Sequence, residues 1–392
     1  MKKYFPFLLI IFFTFTYLFP RLFNLSKNLE FRYDQAFQLT EVKEMVDSRH
    51  LRLIGPATSK TIDGRQFFTG ATYYYLLAIL GLIFAWSPLA ISAAIIIIEY
   101  LIYILFINFL RQHFGYLVAI FIVLLISFTP YLIFHSFFFW NPHFLIPLSI
   151  LFIIFRKNLY LSAFIWGLAF SFHFSAILWI FPFIFFNKKY HHLKLWNIVL
   201  TILFFLTANL PYIYFEIRHQ FYNLKTAFLV FEHSNNSFGI TTHYFIFPLL
   251  IFLIYFLIFF SKKIHFPLYL VLLSIFFLKD QAYLNRIHGW DYPTQIKITD
   301  IIADSCPQTF NIAATLQGDT RAYDLRYLLS QKGCYANAVD NYPQDKTLFV
   351  VSHSSSSLEN ETVWEIKSFV PYKISQQEKI NENVTFYRLD KS

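Results

Sequence analysis

Nine apolar stretches, at about 4–20, 71–86, 88–110, 116–134, 143–155, 159–186, 195–214, 242–260 and 264–278, follow one another at the spacing of bilayer-spanning helices. A water-soluble domain has no interior large enough to hide so many runs of this length. The chain therefore reads as a polytopic α-helical membrane protein. Composition agrees: 57% of residues are hydrophobic, 52 are Phe, and 14% are charged, against roughly 25% charged in soluble domains. The opening MKK and the apolar run through Pro20 have the outline of a signal peptide. No small-residue cleavage site follows, so this run is read as a retained first span.

The basic residues orient these segments. Residues 1–278 carry 20 Lys and Arg against 9 Asp and Glu, whereas residues 279–392 carry 12 against 14. The net charge of +9 thus belongs to the apolar part. It is spread through short loops rather than gathered on one patch, which argues against a nucleic-acid partner. Lys2/Lys3, Arg111, Arg156/Lys157, Lys188/Lys189/Lys194 and Lys262/Lys263 are ten basic residues with no acid among them. They face the cytoplasm together only if 71–86 does not span and 159–186 crosses twice, as a hairpin of short halves around His173. The expectation is about nine crossings with the N-terminus in the cytoplasm. Residues 1–278 form the transmembrane domain, with a first external loop at 21–87, and residues 279–392 form a soluble extracytoplasmic domain. Six of the nine acids before residue 279 fall in that loop: Glu30, Asp34, Glu41, Glu44, Asp47 and Asp63.

Within the loop, Leu39, Val42, Met45 and Val46 recur at helical spacing, with Glu41, Glu44, Asp47 and Ser48 opposite. That pattern predicts an amphipathic helix lying in the interface. "LIGPATSKTIDGRQFFTG" (53–70) reads as a loop punctuated by Gly and Pro. The triplet Tyr73–Tyr75 suits a re-entrant or interfacial 71–86 segment. In the soluble part, an amphipathic stretch near 294–305, an apparent strand "FNIAATL", a helix "DLRYLLSQKG" and strands near 347–352, 363–369 and 384–389 predict a small α/β or α+β domain. Cys306 and Cys334, the two cysteines, either form one disulfide, if this domain lies outside the cytoplasm, or remain two buried thiols. No internal repeat and no dinucleotide, Walker or zinc-spacing motif is present.

Several polar residues stand out against this apolar background. Asp34 heads the amphipathic segment, where Asp is a favoured N-cap worth ~1 kcal/mol. A carboxylate there also serves as general base for an acceptor hydroxyl or amine, or as a metal ligand. In "HSFFFWNPHF" (135–144), Trp140 is an interfacial anchor and Asn141-Pro142 a turn, while His143 has no such structural excuse. His173 in "SFHFSAILW" either marks a turn at the water boundary or donates to a phosphate or sugar hydroxyl. "NLPYIYFEIRHQFYN" (209–223) places Glu216, Arg218 and His219 beyond the seventh span. Arg matches phosphate through paired donors; the plainer alternative is a solvated Arg–Glu pair. Glu99, inside "AAIIIIEYLIYIL", is a costly intramembrane acid, read first as a bond between helices.

"FRYDQA", "LIGPATS", "GATYYYLLA", "FFFWNPHFLIP", "SFHFSAILWIFP" and "PYIYFEIRHQFYN", in that order, resemble elements of bacterial GT-C glycosyltransferases. The similar group is the family 39-like set, which includes protein O-mannosyltransferases and aminoarabinose lipid A transferases. The resemblance covers roughly residues 1–240. It implies a transferase of the bacterial cytoplasmic (inner) membrane, active in cell-envelope glycosylation. Such an enzyme moves a sugar from a polyprenyl-phosphate donor to a lipid, protein or glycan acceptor on the extracytoplasmic side. It implies that Asp34 is the catalytic base. It makes Arg218, His219, His173, His143, Asn141, Tyr74 and Glu216 candidates for binding substrate or phosphate, with Arg218 first. Relatives resemble Y-D-Q-x-R-D in this loop; here Phe37 and Gln38 replace the Arg and second Asp. No cofactor is required, and a divalent metal is compatible with the acid. Two other classes compete: a lipid-linked sugar transporter or flippase, which predicts inverted repeats and broken helices, and a non-catalytic envelope assembly protein, which leaves the acids of the first loop unexplained.

Overall fold

The computed structural model describes residues 5–186, 194–233, 289–316, 318–358 and 361–392, together with Phe252. The expected spans at 242–260 and 264–278 lie outside the described residues, Phe252 apart, as do Lys2/Lys3, Lys188/Lys189 and Lys262/Lys263. The described chain is mostly helical, with a small C-terminal sheet.

Helix α1 (Phe5–Leu22) is followed by the single turn α2 (Leu25–Asn28) and by α3 (Tyr33–Asp47). As the spacing predicts, α3 buries Leu39, Val42 and Met45 on one face. The stretch expected as a Gly/Pro loop is instead an antiparallel hairpin, β1 (Ile54–Ile62) and β2 (Arg65–Gly70). Its turn is Asp63-Gly64, both at positive φ (49° and 72°), the Asp-Gly signature of a two-residue hairpin turn. Helix α4 (Thr72–Ile83) has 12 residues and a length of about 18 Å, too short to cross a hydrocarbon layer of about 30 Å.

Helix α5 (Pro88–Phe114) has 27 residues, and its ~40 Å exceed that thickness. It begins at Ser87, whose Oγ accepts from the Ala90 N–H, with Pro88 at the first turn. Among the described residues it is the one helix long and apolar enough to cross a membrane. Helices α6 (Tyr116–Phe128) and α7 (Pro130–His135) divide the expected 116–134 span, because Pro130 ends α6 at Thr129. A 3-10 turn, Asn141–Phe144, leads into α8 (Leu145–Phe155). The 159–186 stretch folds back on itself at His173, as α9 (Leu159–Phe172), a 3-10 turn (Phe174–Trp179) and α10 (Ile180–Phe186). The Trp166 indole donates to the Ala176 carbonyl at 2.7 Å, and its ring lies 5.4 Å from that of Phe183. The expected 195–214 span is two helices, α11 (Leu195–Thr207) and α12 (Leu210–Arg218), meeting at 83° and followed by α13 (Tyr222–His233). Pro211 in the first turn of α12 cannot continue α11, and Asn209 Nδ2 satisfies the carbonyls of Gly167 and Phe205 at the break.

Two polar side chains cross-link the bundle. Arg21 is fully buried at the end of α1. Its Nε donates to Ser136 Oγ at 2.9 Å, Nη2 to the Ile126 carbonyl at 2.9 Å, and Nη1 to the carbonyls of Tyr17 and Ser127. Glu99 of α5 accepts from the Tyr17 hydroxyl at 3.3 Å and interacts electrostatically with Arg21. Its surroundings are the interhelical contacts expected of a structural acid.

The C-terminal domain is an α/β unit: α14 (Tyr292–Ser305), β3 (Phe310–Ala314), α15 (Tyr323–Gln331), β4 (Thr347–His353), the turn α16 (Trp364–Lys367), β5 (Tyr372–Lys379) and β6 (Val384–Lys391). The sheet order is β3-β4-β6-β5, with β3 and β4 parallel and the other pairs antiparallel. The strand expected at 363–369 is the helical turn α16, where Val363, Ile366 and Phe369 recur every third residue and pack on the sheet. The missed strand is β5, an exposed polar edge with no apolar alternation to announce it.

Cys306 and Cys334 form a disulfide with Cα atoms 5.9 Å apart, joining the end of α14 to the turn after α15. The cysteines are 28 residues apart, so chain entropy gives the cross-link about 3–4 kcal/mol. Replacing both by Ala is expected to lower the unfolding free energy of the C-terminal domain by that amount, read from the shift of the midpoint in denaturant titrations. An unchanged midpoint would show that the bond constrains nothing.

Candidate active site

The C-terminal domain docks on α3. Phe31, Leu39, Val42, Tyr73, Tyr74 and Leu77 share one apolar cluster with Tyr292, Tyr327 and Leu328. The Tyr327 hydroxyl donates to the Trp86 carbonyl at 2.7 Å, and Tyr33 meets Tyr323 edge-on at 5.1 Å. The Gln295 amide bridges both sides, donating to the Phe31 carbonyl at 2.9 Å and to Asp324 Oδ2 at 3.2 Å.

A cavity of about 630 Å³ opens beside this seam, within the range of small-molecule sites. Arg32, Tyr33 and Asp34 line it from the start of α3. Asp319, Thr320 and Arg321 line it from the β3–α15 connection and Asp324 from the first turn of α15, with Phe138, Trp290, Ala314, Leu316 and Gly318 forming the rest.

Asp34 is not the cap of α3. The helix begins at Tyr33 after Arg32, whose N–H donates to Gln35 Oε1 at 3.2 Å. Gln35 in turn donates to the Phe139 carbonyl at 3.2 Å. The cap thus falls to neighbours of Asp34, and its carboxylate accepts no hydrogen bond and forms no ion pair among the described residues. Burial pushes its pKa above the ordinary carboxylate value, which makes it a stronger base when ionised.

The carboxyls across the cavity are held. Asp319 accepts from the N–H groups of Arg321 (3.1 Å) and Tyr323 (2.8 Å), fixing the start of α15, and burial raises its pKa. Asp324 accepts from Trp290 Nε1 at 3.0 Å and from the Leu325 N–H at 2.9 Å. Burial, and then the neighbouring charge of Asp319, push its pKa up to about 7. Arg32 pairs with Glu30.

None of the other sequence candidates lines this cavity. His143 is buried, with Nδ1 against the Phe138 carbonyl at 2.7 Å, so its contact supports the segment that supplies a cavity wall. Asn141 donates to the Phe172 carbonyl at 2.8 Å. His173 Nδ1 faces Ser175 Oγ at 2.8 Å and receives the Ser175 N–H, capping the 3-10 turn. Tyr74 is packed inside the cluster under α3. Arg218 and His219 are exposed at the end of α12, and neither lines the cavity.

Glu216 is buried and accepts from the N–H groups of Asn223 (3.0 Å) and Leu224 (3.1 Å), so it caps α13. Glu216→Ala is expected to cost about 1–2 kcal/mol and to speed proteolysis near residue 222. Thermal unfolding and limited proteolysis check this, and a variant as stable as the parent would remove the capping role.

Sequence reasoning missed the second wall, Trp290 and Asp319–Asp324. Its signal is "GDTRAYD" (318–324) between a strand and a helix, a connection of the kind that binds ligands in α/β sheets. Among the described residues no group of three or more His, Cys, Asp or Glu side chains is arranged to hold a metal. No family model matches the chain, and no match was found among curated proteins or solved structures.

Proposed function

We propose that this protein is an integral-membrane glycosyltransferase that moves a sugar from a polyprenyl-phosphate-linked donor to an extracytoplasmic acceptor. The observation that carries the reading is Asp34: a desolvated carboxylate with no partner among the described residues, facing a cavity between an amphipathic helix and a soluble domain. Asp34 takes the proton from the acceptor nucleophile, which attacks the anomeric carbon in one displacement and inverts it. The carrier phosphate leaves with the bonding pair. Arg218 stands outside the cavity, so Arg32 and the N–H groups at the start of α3 meet the developing phosphate charge instead.

The membrane reading rests on outward-facing apolar surface. Phe7, Leu8, Phe15 and Phe19 of α1, and Ile97, Leu101 and Leu105 of α5, are exposed, as lipid contact requires and water disfavours. The proposed arrangement keeps about nine crossings, a cytoplasmic N-terminus and an extracytoplasmic C-terminal domain. The disulfide supports that placement, since such bonds persist in oxidising compartments. The test is transfer by the purified chain from polyprenyl-phosphate sugars, with Asp34→Asn as the control. No transfer from any such donor, and envelope glycans unchanged by Asp34→Asn in cells, would reject the reading.

The 83° bend between α11 and α12 is the observation that favours a transporter of lipid-linked sugar. Under that reading the protein translocates such lipids in vesicles and Asp34→Asn does not alter any glycosidic bond.

A further inference from the structure

The β3–α15 connection carries more chemistry than the proposed proton transfer uses. Strands β3 and β4 run parallel and α15 lies between them in the chain. Residues Gly318–Asp324, the end of the connection and the first turn of α15, therefore lie at the carboxyl end of a β–α–β unit, the edge where open α/β sheets bind ligands. This segment faces the cavity that holds Asp34.

Its construction is that of a prepared site. Asp319 is fixed by two backbone N–H groups, and the Thr320 hydroxyl donates to Glu365 Oε1 at 2.7 Å. The Trp290 ring is held through its N–H on Asp324. Arg321 is exposed and, among the described residues, makes no ion pair. This side therefore offers carboxylate acceptors, one guanidinium fork and a fixed indole, with Tyr33 opposite. An acyl chain entering here would desolvate several charges without pairing them. A phosphate on this side would sit against Asp319 and Asp324. A pyranose ring suits all the groups at once: its hydroxyls donate to carboxylates and accept from guanidinium, and its C–H face covers an aromatic ring.

We propose that Gly318–Asp324 is a saccharide-reading segment, in which Arg321 and Trp290 hold a pyranose ring with a hydroxyl-bearing edge toward Asp34. This deepens the transferase reading and rests on it for the role of Asp34. The ring belongs to the donor or to a glycan acceptor; the shared chemistry is the polyhydroxylated ring.

The test uses the full chain in detergent and saturation-transfer NMR with methyl α-glucopyranoside, methyl α-galactopyranoside and methyl α-mannopyranoside. At least one glycoside is expected to bind the parent. Its Kd should rise about tenfold or more in Arg321→Ala, the scale of a lost charge-assisted hydrogen bond, and should also rise in Tyr33→Leu. Lys379→Ala, on the exposed edge strand, should bind as the parent does. Arg321→Ala removes an exposed side chain with no ion pair, so loss of binding in a variant with the parent's thermal unfolding curve reports the site itself. Competition by a membrane extract of polyprenyl-phosphate sugars assigns the ring to the donor; undiminished binding assigns it to the acceptor, and both support the segment. No binding of any of the three glycosides to the parent, or equal binding by Arg321→Ala, overturns it. Asp34→Asn should keep glycoside binding. Binding without transfer therefore rejects only the transferase, and transfer indifferent to Arg321→Ala rejects only the segment.

Discussion

Asp34→Asn is expected to reduce sugar transfer by about 10²–10⁴-fold, the range for losing a positioned general base, while the chain folds as before. The amide keeps the shape of the carboxyl, and no hydrogen bond among the described residues depends on the charge. Because burial raises the folded pKa of Asp34, the acid limb of the rate profile should be displaced upward from that of an ordinary Asp, with activity rising as pH increases through it. The same shift has a sign for stability. The folded state binds the proton more tightly than the unfolded state, so ionisation opposes folding once pH passes the unfolded pKa, and the penalty is complete above the folded one. At neutral pH Asp34→Asn removes that penalty, and the variant should be at least as stable as the parent. Transfer at the parental rate, or a marked loss of stability at neutral pH, would contradict the assignment of a desolvated base without a partner among the described residues.

Arg21→Met should be the most destabilising single substitution in the bundle. It removes the guanidinium that donates to Ser136, Ile126, Ser127 and Tyr17, and it strips Glu99 of its nearby cation. Leaving buried acceptors without their charged donor costs about 1–3 kcal/mol each, and the sum is enough to unfold a marginal protein. Arg21→Lys should rescue little, since a point charge on a flexible stem cannot serve four acceptors as a planar fork does. Adding Glu99→Gln to Arg21→Met should recover part of the loss, so the two changes together cost less than their sum. Denaturant unfolding in detergent measures these three variants and Glu99→Gln alone. A loss under about 1 kcal/mol for Arg21→Met would mean that the network is solvated rather than structural.

The helices were legible because their apolar period is local: Leu39, Val42 and Met45 announce α3 whatever lies around it. The hairpin was legible in principle from Asp63-Gly64, but Gly55 and Pro56 read as breakers and hid the strands. Breaks such as Thr129-Pro130 and Asn209-Leu210-Pro211 were visible as residues, yet apolar content on both sides masked them. The cavity had a different obstacle. Asp34 stood out because it heads the amphipathic segment within the resembled stretch "FRYDQA", whereas Asp319, Arg321 and Asp324 sit in a polar domain where such residues are ordinary. Glu216 misled for the opposite reason: its charge looked exceptional, but its use is to satisfy the backbone of the next helix. Local pattern cannot distinguish a carboxylate that receives a ligand from one that receives an amide.

The amide of Gln295 reaches the carbonyl of Phe31 across 264 residues of chain. Asp34 emerges from the ribosome with the first helices, but the wall that encloses it is among the last parts made. Until residue 324 has been synthesised, every nascent intermediate holds the proposed base in an open, unwalled state. On the proposed reading, competence then switches on once, at the end of synthesis, and a truncated chain can insert its helices without acquiring a site. On the same reading, a partially built chain cannot spend lipid-linked sugar on water.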